Sequence, residues 1–214
     1  RQRYLGYCTH MSHDAELRCR CGEIAGRVRD PAPQSVNRVI CYCDDCQAYL
    51  HHLGRTDLLD EHGGTDVIQV AASSLSFQRG AERIVGLRLS PKGPYRFYTS
   101  CCQTPLGNMV SPAIPFIGIV AQGFQGADDC FGKPIGEIYG QYAIGSTPPG
   151  SDKLNLRLML RVIRLMLSWR LGGKAWPHPF FDRTTGASKY PVTTLTPAER
   201  EALRPLCGPR PAAR

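Results

Sequence analysis

The chain has 214 residues, with 26 Lys+Arg against 18 Asp+Glu, and it carries ten Cys. That length suits one domain, or one domain plus an appendage, and buries a hydrophobic core without help from disulfides. At 42% hydrophobic and 21% charged residues it is neither disordered nor fibrous, and 22 Gly with 17 Pro argue against a helical bundle.

Residue 1 is Arg, and Met11-Ser12-His13 reads as a native start, so residues 1–10 read as an upstream extension that includes Cys8 and His10. No charged start followed by an apolar block is visible, so no signal peptide is expected. No apolar run reaches about 18 residues, so no transmembrane helix is expected. Ten Cys in such a chain point to a reducing, cytoplasmic setting, where clustered thiols read as metal ligands before disulfides.

Short, partly alternating strands are predicted at Ile24–Arg29, Val36–Tyr42, Val67–Ala71, Ile84–Ser90 and Tyr95–Thr99. Pro91-Lys92-Gly93-Pro94 reads as the hairpin joining the last two. Ile114–Val120 is apolar but interrupted by Pro115 and Gly118, which predicts a buried edge strand or loop. Thr147-Pro148-Pro149-Gly150 continues neither a helix nor a strand. A helix is predicted over Asp152–Leu171, capped by Ser151 and stopped by Gly172-Gly173. Lys153, Arg157, Arg161, Arg164 and Ser168 form one narrow stripe of it. The rest is mostly apolar and is expected to pack on the body, with the arginines facing water. An anionic membrane surface is the rival reading for this helix. A short helix is predicted at Thr196–Leu203, with Pro197 at its first position. The fold class is mainly β, α+β overall.

Charge divides the chain at the 147–150 turn. Residues 1–150 carry 14 cations and 14 anions; residues 151–214 carry 12 and 4, the whole excess of +8. The division gives a cysteine-rich body over 11–147 and a basic, helical and Pro-rich extension over 148–214. No recognition motif accompanies the charge, so no nucleic-acid partner is expected.

Three cysteine clusters carry the chemistry. They are Cys19-Arg20-Cys21-Gly22, Cys41-Tyr42-Cys43-Asp44-Asp45-Cys46, and Cys101-Cys102 followed by Gln103-Thr104-Pro105-Leu106-Gly107. Zinc takes four soft ligands at about 2.3 Å in a tetrahedron, and a Cys-x-Cys or Cys-x-x-Cys turn aims two sulfurs at one point. Gly22 lets the backbone bend behind the metal. Cys41, Cys43 and Cys46 reach one metal from a single turn after a strand, and three thiolates leave a fourth position open. Cys19 and Cys21 form a half-site, and the third cluster is its natural partner. Seven thiols thus suffice for one or two zinc ions. Adjacent Cys101 and Cys102 are expected to strain a shared tetrahedron.

At these residues the chain resembles the glutathione-dependent formaldehyde-activating enzyme and centromere protein V family. Cys19-Arg20-Cys21-Gly22 is similar to its opening Cys-x-Cys-Gly, and Cys41–Cys46 to its Cys-x-Cys-x-x-Cys. Tyr95-Arg96-Phe97-Tyr98 and Cys102-Gln103-Thr104-Pro105-Leu106 resemble its late strand and Cys-Gly-Thr-Pro-Leu. The resemblance covers about residues 15–125. It implies a zinc-binding β-tent of short antiparallel sheets, with a structural zinc held by the first and last clusters. It implies a second zinc at Cys41, Cys43 and Cys46, where a thiol substrate binds. The implied activity is that of a carbon–sulfur lyase, joining formaldehyde to glutathione as S-hydroxymethylglutathione. In the family's late Cys-x-x-Cys-Gly, this chain has Thr99 and Gln103 at the first Cys and at the Gly. Either the fourth ligand of the structural site is Cys101, a water or another side chain, or that zinc is weak or lost.

Beside this enzyme reading stand a non-catalytic zinc-binding interaction module and, more remotely, a thiol redox sensor. His51 and His52 are read as surface or core residues without a role, and Asp44 and Asp45 as solvated turn residues. Cys130 and Cys207 are read as structural, with Cys130 a remote candidate for the missing ligand.

Overall fold

The structure is a computed structural model that describes residues 14–121, 127–146, 148–151 and 155–209. The extension read at 1–10 lies outside these residues. The chain is mainly β with a few short helices, an α+β fold. Its first sheet runs β1 (Ala15–Arg18), β2 (Ala25–Val28) and β5 (Leu75–Arg79). The second has eight strands in the order β10-β3-β4-β9-β8-β7-β6-β11. These are β3 (Asn37–Cys41), β4 (Thr65–Ala71), β6 (Ile84–Arg88), β7 (Tyr95–Thr99), β8 (Pro105–Met109), β9 (Phe116–Val120), β10 (Glu137–Ile138) and β11 (Val192–Thr194). Four α-helices accompany them: α1 (Asp44–His52), α2 (Ala127–Phe131), α3 (Leu156–Leu171) and α4 (Pro197–Ala202).

The predicted hairpin at 91–94 joins β6 to β7, which pair antiparallel from Ile84 opposite Thr99 to Leu87 opposite Arg96. The segment expected at an edge is interior instead. β9 lies between β4 and β8. Pro115 falls just before the strand, so its missing N–H interrupts no ladder bond, and its carbonyl accepts from Ala72 N. Gly118 sits against Asn108, where a Cβ would come within 2.6 Å of the amide oxygen, so the glycine permits the close pairing.

The basic segment after the 148–150 turn belongs to the same core. β11 pairs parallel with β6. Phe180, fully buried, stacks on Phe97 of β7 at 4.2 Å and meets Phe77 of β5 at 5.6 Å, so one tail side chain bridges both sheets. His178 is buried beside them, and its Nδ1 accepts from Phe180 N at 3.1 Å. Burial, with Lys189 nearby, depresses its pKa to about 4. The unfolded chain binds that proton near pH 6.5, so stability is full above that value and falls as pH drops toward 4. The loss should be on the order of 3 kcal/mol. Urea unfolding at pH 7 and pH 4.5 should show it, and His178→Asn should flatten the difference; an unchanged slope would remove His178 as the cause.

α3 departs from expectation at its start and in its facing. Its N-cap is Asn155, whose Oδ1 accepts from Leu158 N at 3.1 Å, while Ser151 closes the preceding turn onto Pro148 O. The expected first turn, with Lys153, lies outside the described residues. Leu158 and Trp169 are buried, as packing requires. Arg161 faces the body rather than water. Its Nε donates to Asn37 Oδ1 at 3.0 Å, and Nη2 donates to the carbonyls of Val36 and Pro33. Three acceptors at the entry to β3 need donors, and one guanidinium supplies them.

Candidate metal centres

Four sulfurs meet where the tips of two hairpins converge. Cys19 and Cys21 occupy the β1–β2 turn, and Cys101 and Cys102 the β7–β8 turn. The first turn folds back through Gly22 N to Cys19 O, with Gly22 at φ 80°, and Ile24 N donates to Cys19 Sγ at 3.2 Å. The Sγ atoms of Cys19, Cys21, Cys101 and Cys102 all lie within 4.8 Å of one another. Cys19–Cys21 is 3.5 Å, Cys21–Cys101 3.4 Å and Cys101–Cys102 3.9 Å. A tetrahedron with metal–sulfur bonds near 2.3 Å has edges of about 3.8 Å. The donor set therefore fits a soft tetrahedral ion, and the adjacent Cys101 and Cys102 both belong to the group.

Gln103 explains how. Its φ of 56° puts it in the left-handed region, so the turn swings back immediately after Cys102. The resemblance places a Gly at this position. Thr99, at the position of the missing motif Cys, is not among the four; its hydroxyl lies 3.3 Å from Cys102 Sγ, and Thr104 Oγ1 lies 3.2 Å away on the other side. Burial works against ionising Cys102, yet Thr104, Thr99 and the Cys21 backbone bring its pKa down to about 6. Cys101 is pushed up to about 12 by burial and its bond to Cys21.

The second group comprises Cys41, Cys43 and Cys46, again with all sulfurs within 4.8 Å. Cys41 ends β3, Cys43 is the N-cap of α1, and Cys46 lies in its first turn. The single turn expected here is thus a strand end running into a helix, and the helix N-terminus favours thiolate at its first turn. Cys46 is held well below its ordinary pKa by hydrogen bonds from Cys41 and Cys43, against its burial, and by Arg96. Cys41 is pushed up by its bonds to Cys43 and Cys46.

Arg96 is the residue that reading the sequence missed as part of the site. It sits on β7, 3% exposed, with Nη1 4.0 Å from Cys46 Sγ, Nη2 3.8 Å from Asp45 and its guanidinium 5.2 Å from the Tyr49 ring centre. Its Nε has no hydrogen-bond partner among the described residues. Three thiolates around a divalent ion leave one negative charge, and Arg96 is the buried cation facing it. Replacing Arg96 with Gln should weaken metal binding at this group by 10- to 100-fold, read by chelator competition, in the manner of other outer-shell partners, about that range. Arg96→Lys should retain part of the affinity; an unaltered Gln variant would exclude the role.

Asp44 and Asp45 are not solvated turn residues. Arg200 of α4 reaches Asp44 at 2.5 Å and Asp45 at 3.1 Å, and Arg204 pairs with Asp44. Gln47 anchors the helix further, donating to the Tyr42 and Tyr142 carbonyls and accepting from Gly208 N. The tail thus clamps the first turn of α1 onto the body. Beside Cys43 of this group lies an open cavity of about 490 Å³, lined also by Asp44, Asp45, Pro94, Arg96, Tyr139 and Tyr142.

His51 and His52 lie in the last turn of α1 and belong to neither sulfur group. Cys130, on α2, is disulfide-bonded, which removes it as the missing ligand. Cys207 packs against the core and donates to Leu203 O. Among the described residues, these two sulfur groups are the sets suited to hold metal.

The model of a family of unknown function, DUF6151, matches residues 11–190. The chain belongs to that family. No curated protein matches it. The DUF6151 match contains all seven clustered cysteines and Arg96, and it runs through the 148–150 turn and past the Phe180–Phe181 pair to residue 190. Arg200 and Arg204, which clamp α1, lie beyond the matched range.

Proposed function

We propose that this chain is a zinc protein of two unlike sites, a structural one at Cys19, Cys21, Cys101 and Cys102, and a substrate-handling one at Cys41, Cys43 and Cys46. The reading rests on one contrast. Four sulfurs lie close enough to fill a tetrahedron at the first, while the second has three sulfurs, one of which, Cys43, lines an open cavity. Cys41, Cys43 and Cys46 would hold a zinc ion there, which would supply the lowering of a substrate thiol's pKa. The resemblance to the formaldehyde-activating family suggests the reaction. A substrate thiolate such as that of glutathione attacks the carbonyl carbon of formaldehyde. The carbon–sulfur bond forms, the π pair moves onto oxygen, and that oxygen takes up the proton the thiol released. Arg96 balances the charge of the cysteine sulfurs, and Tyr139 and Tyr142 wall the space where the adduct forms. Clustered thiols are best kept in a cytoplasmic, reducing compartment. The Cys130 disulfide runs against that setting, and thiol counting on protein from reduced lysate tests it.

Cys43→Ser should abolish adduct formation from formaldehyde and glutathione, followed by NMR, and lower zinc from about two ions per chain to about one. Unchanged turnover would discard the catalytic assignment. The second reading, a non-catalytic zinc module, draws on the Arg200 and Arg204 clamp, which fixes the wall of the cavity. It predicts a zinc whose sulfur shell does not change when thiol is added, as read by X-ray absorption.

A further inference from the structure

α3 has two apolar faces, and only one of them is used. At 100° per residue, buried Leu158 and Trp169 lie on the side opposite Leu156, Leu160, Ile163 and Leu167. Those four are 47–61% exposed, Leu171 at the helix end is 88% exposed, and among the described residues nothing covers them. The exposed row recurs at spacings of four and three and runs for about 22 Å along the helix. Single exposed leucines are ordinary, but a contiguous stripe marks a contact surface.

The charges beside the stripe identify the partner. Arg157 and Arg164 flank it on one side and Arg170 on the other, all exposed, and exposed Lys174 follows the helix. From residue 155 to residue 181 the chain has no Asp or Glu. Two copies of this helix would bring like charges together, which disfavours a second copy. A convex row of leucines between arginines matches a bilayer carrying anionic headgroups, where apolar side chains enter the acyl boundary and guanidiniums meet phosphates.

We propose that α3 is an interfacial helix that seats the protein on an anionic lipid surface through Leu156, Leu160, Ile163, Leu167 and Leu171. It lies on the bilayer without crossing it; among the described residues no helix is long and apolar enough to cross. Arg161 and Trp169 tie the helix to the body, so the body follows it to the surface.

The test is co-sedimentation of the full chain with phosphatidylglycerol–phosphatidylcholine vesicles and with phosphatidylcholine alone, at low and high salt. Binding to the anionic vesicles, weakened by salt, is expected. Arg164→Gln should weaken it about fivefold. Leu160→Glu combined with Ile163→Glu should weaken it by at least about tenfold while circular dichroism and metal content stay as in the parent chain. Absence of binding to anionic vesicles, or equal binding to both vesicle types, would overturn the proposal. So would a dimer seen by light scattering that the double variant abolishes, since the stripe would then belong to a second copy.

Discussion

Cys19→Ser should unfold the body of the protein at temperatures where the parent chain is stable. Cys19 is 4% exposed, and its sulfur both accepts from Ile24 N and takes one corner of the four-sulfur group. Removing it leaves three ligands, two of them from the opposite hairpin. Structural zinc sites in small domains contribute apparent binding free energies of about 10–16 kcal/mol, as large as the whole stability of an ordinary domain. Even a partial loss, on the order of 4 kcal/mol, would lower Tm by about 8–16 °C in a chain of this length. Thermal unfolding with and without chelator checks the cause. Chelator should bring the parent chain down to the Tm of the variant and change the variant little. Equal Tm values for the two proteins without chelator would show that the site holds no structural metal.

The second large effect is expected at a buried ion pair. Arg38 of β3 donates through Nε and Nη2 to Asp66 of β4, and both side chains are nearly enclosed. Nη1 reaches Asp128 at 2.6 Å, but that carboxylate is largely in solvent. Asp66→Leu leaves a desolvated guanidinium with only exposed Asp128 and the Gly132 carbonyl, to which Nη1 also donates, and should cost about 3–5 kcal/mol in urea unfolding. Replacing Arg38 and Asp66 together with apolar residues should recover most of the loss, because no charge is then left buried. A cost below about 1 kcal/mol for the single variant would mean that water reaches Arg38. Asp66 lies opposite Ile40, one position from the end of β3 where Cys41 pairs with Thr65, so metal affinity at the three-sulfur group should fall in the single variant as well.

The strands that were legible in the sequence are those with apolar runs bounded by turns, such as β4, β6 and β7. α4 was legible from Thr196-Pro197, an N-cap followed by Pro at the first helical position, and the structure adds a capping box with Glu199. α1 was not. It spans nine residues, its N-cap Cys43 makes no side-chain cap bond, and its stability comes from burying Gln47, Ala48, Tyr49 and Leu50. β11 is three residues long and exists only through its pairing with β6. The three cysteine clusters were legible because ligand spacing is local. What completes them is not local: Cys101 joins through the backbone turn at Gln103, and Arg96 through the sheet. The charge division misled for the same reason. Arg200 and Arg204 count with the tail but neutralise Asp44 and Asp45 of the body. Arg161 counts with a solvent stripe but satisfies three acceptors in the body.

The meeting of the two hairpin tips has a kinetic side. Cys21 and Cys101 are 80 positions apart. An ion that stays on these sulfurs when the chain unfolds ties off a loop of that length. Such a loop restricts the denatured ensemble on the scale of a disulfide, about 4–5 kcal/mol in chain entropy. The metal-loaded chain then begins refolding from a narrower set of conformations, with its most distant pairing already made.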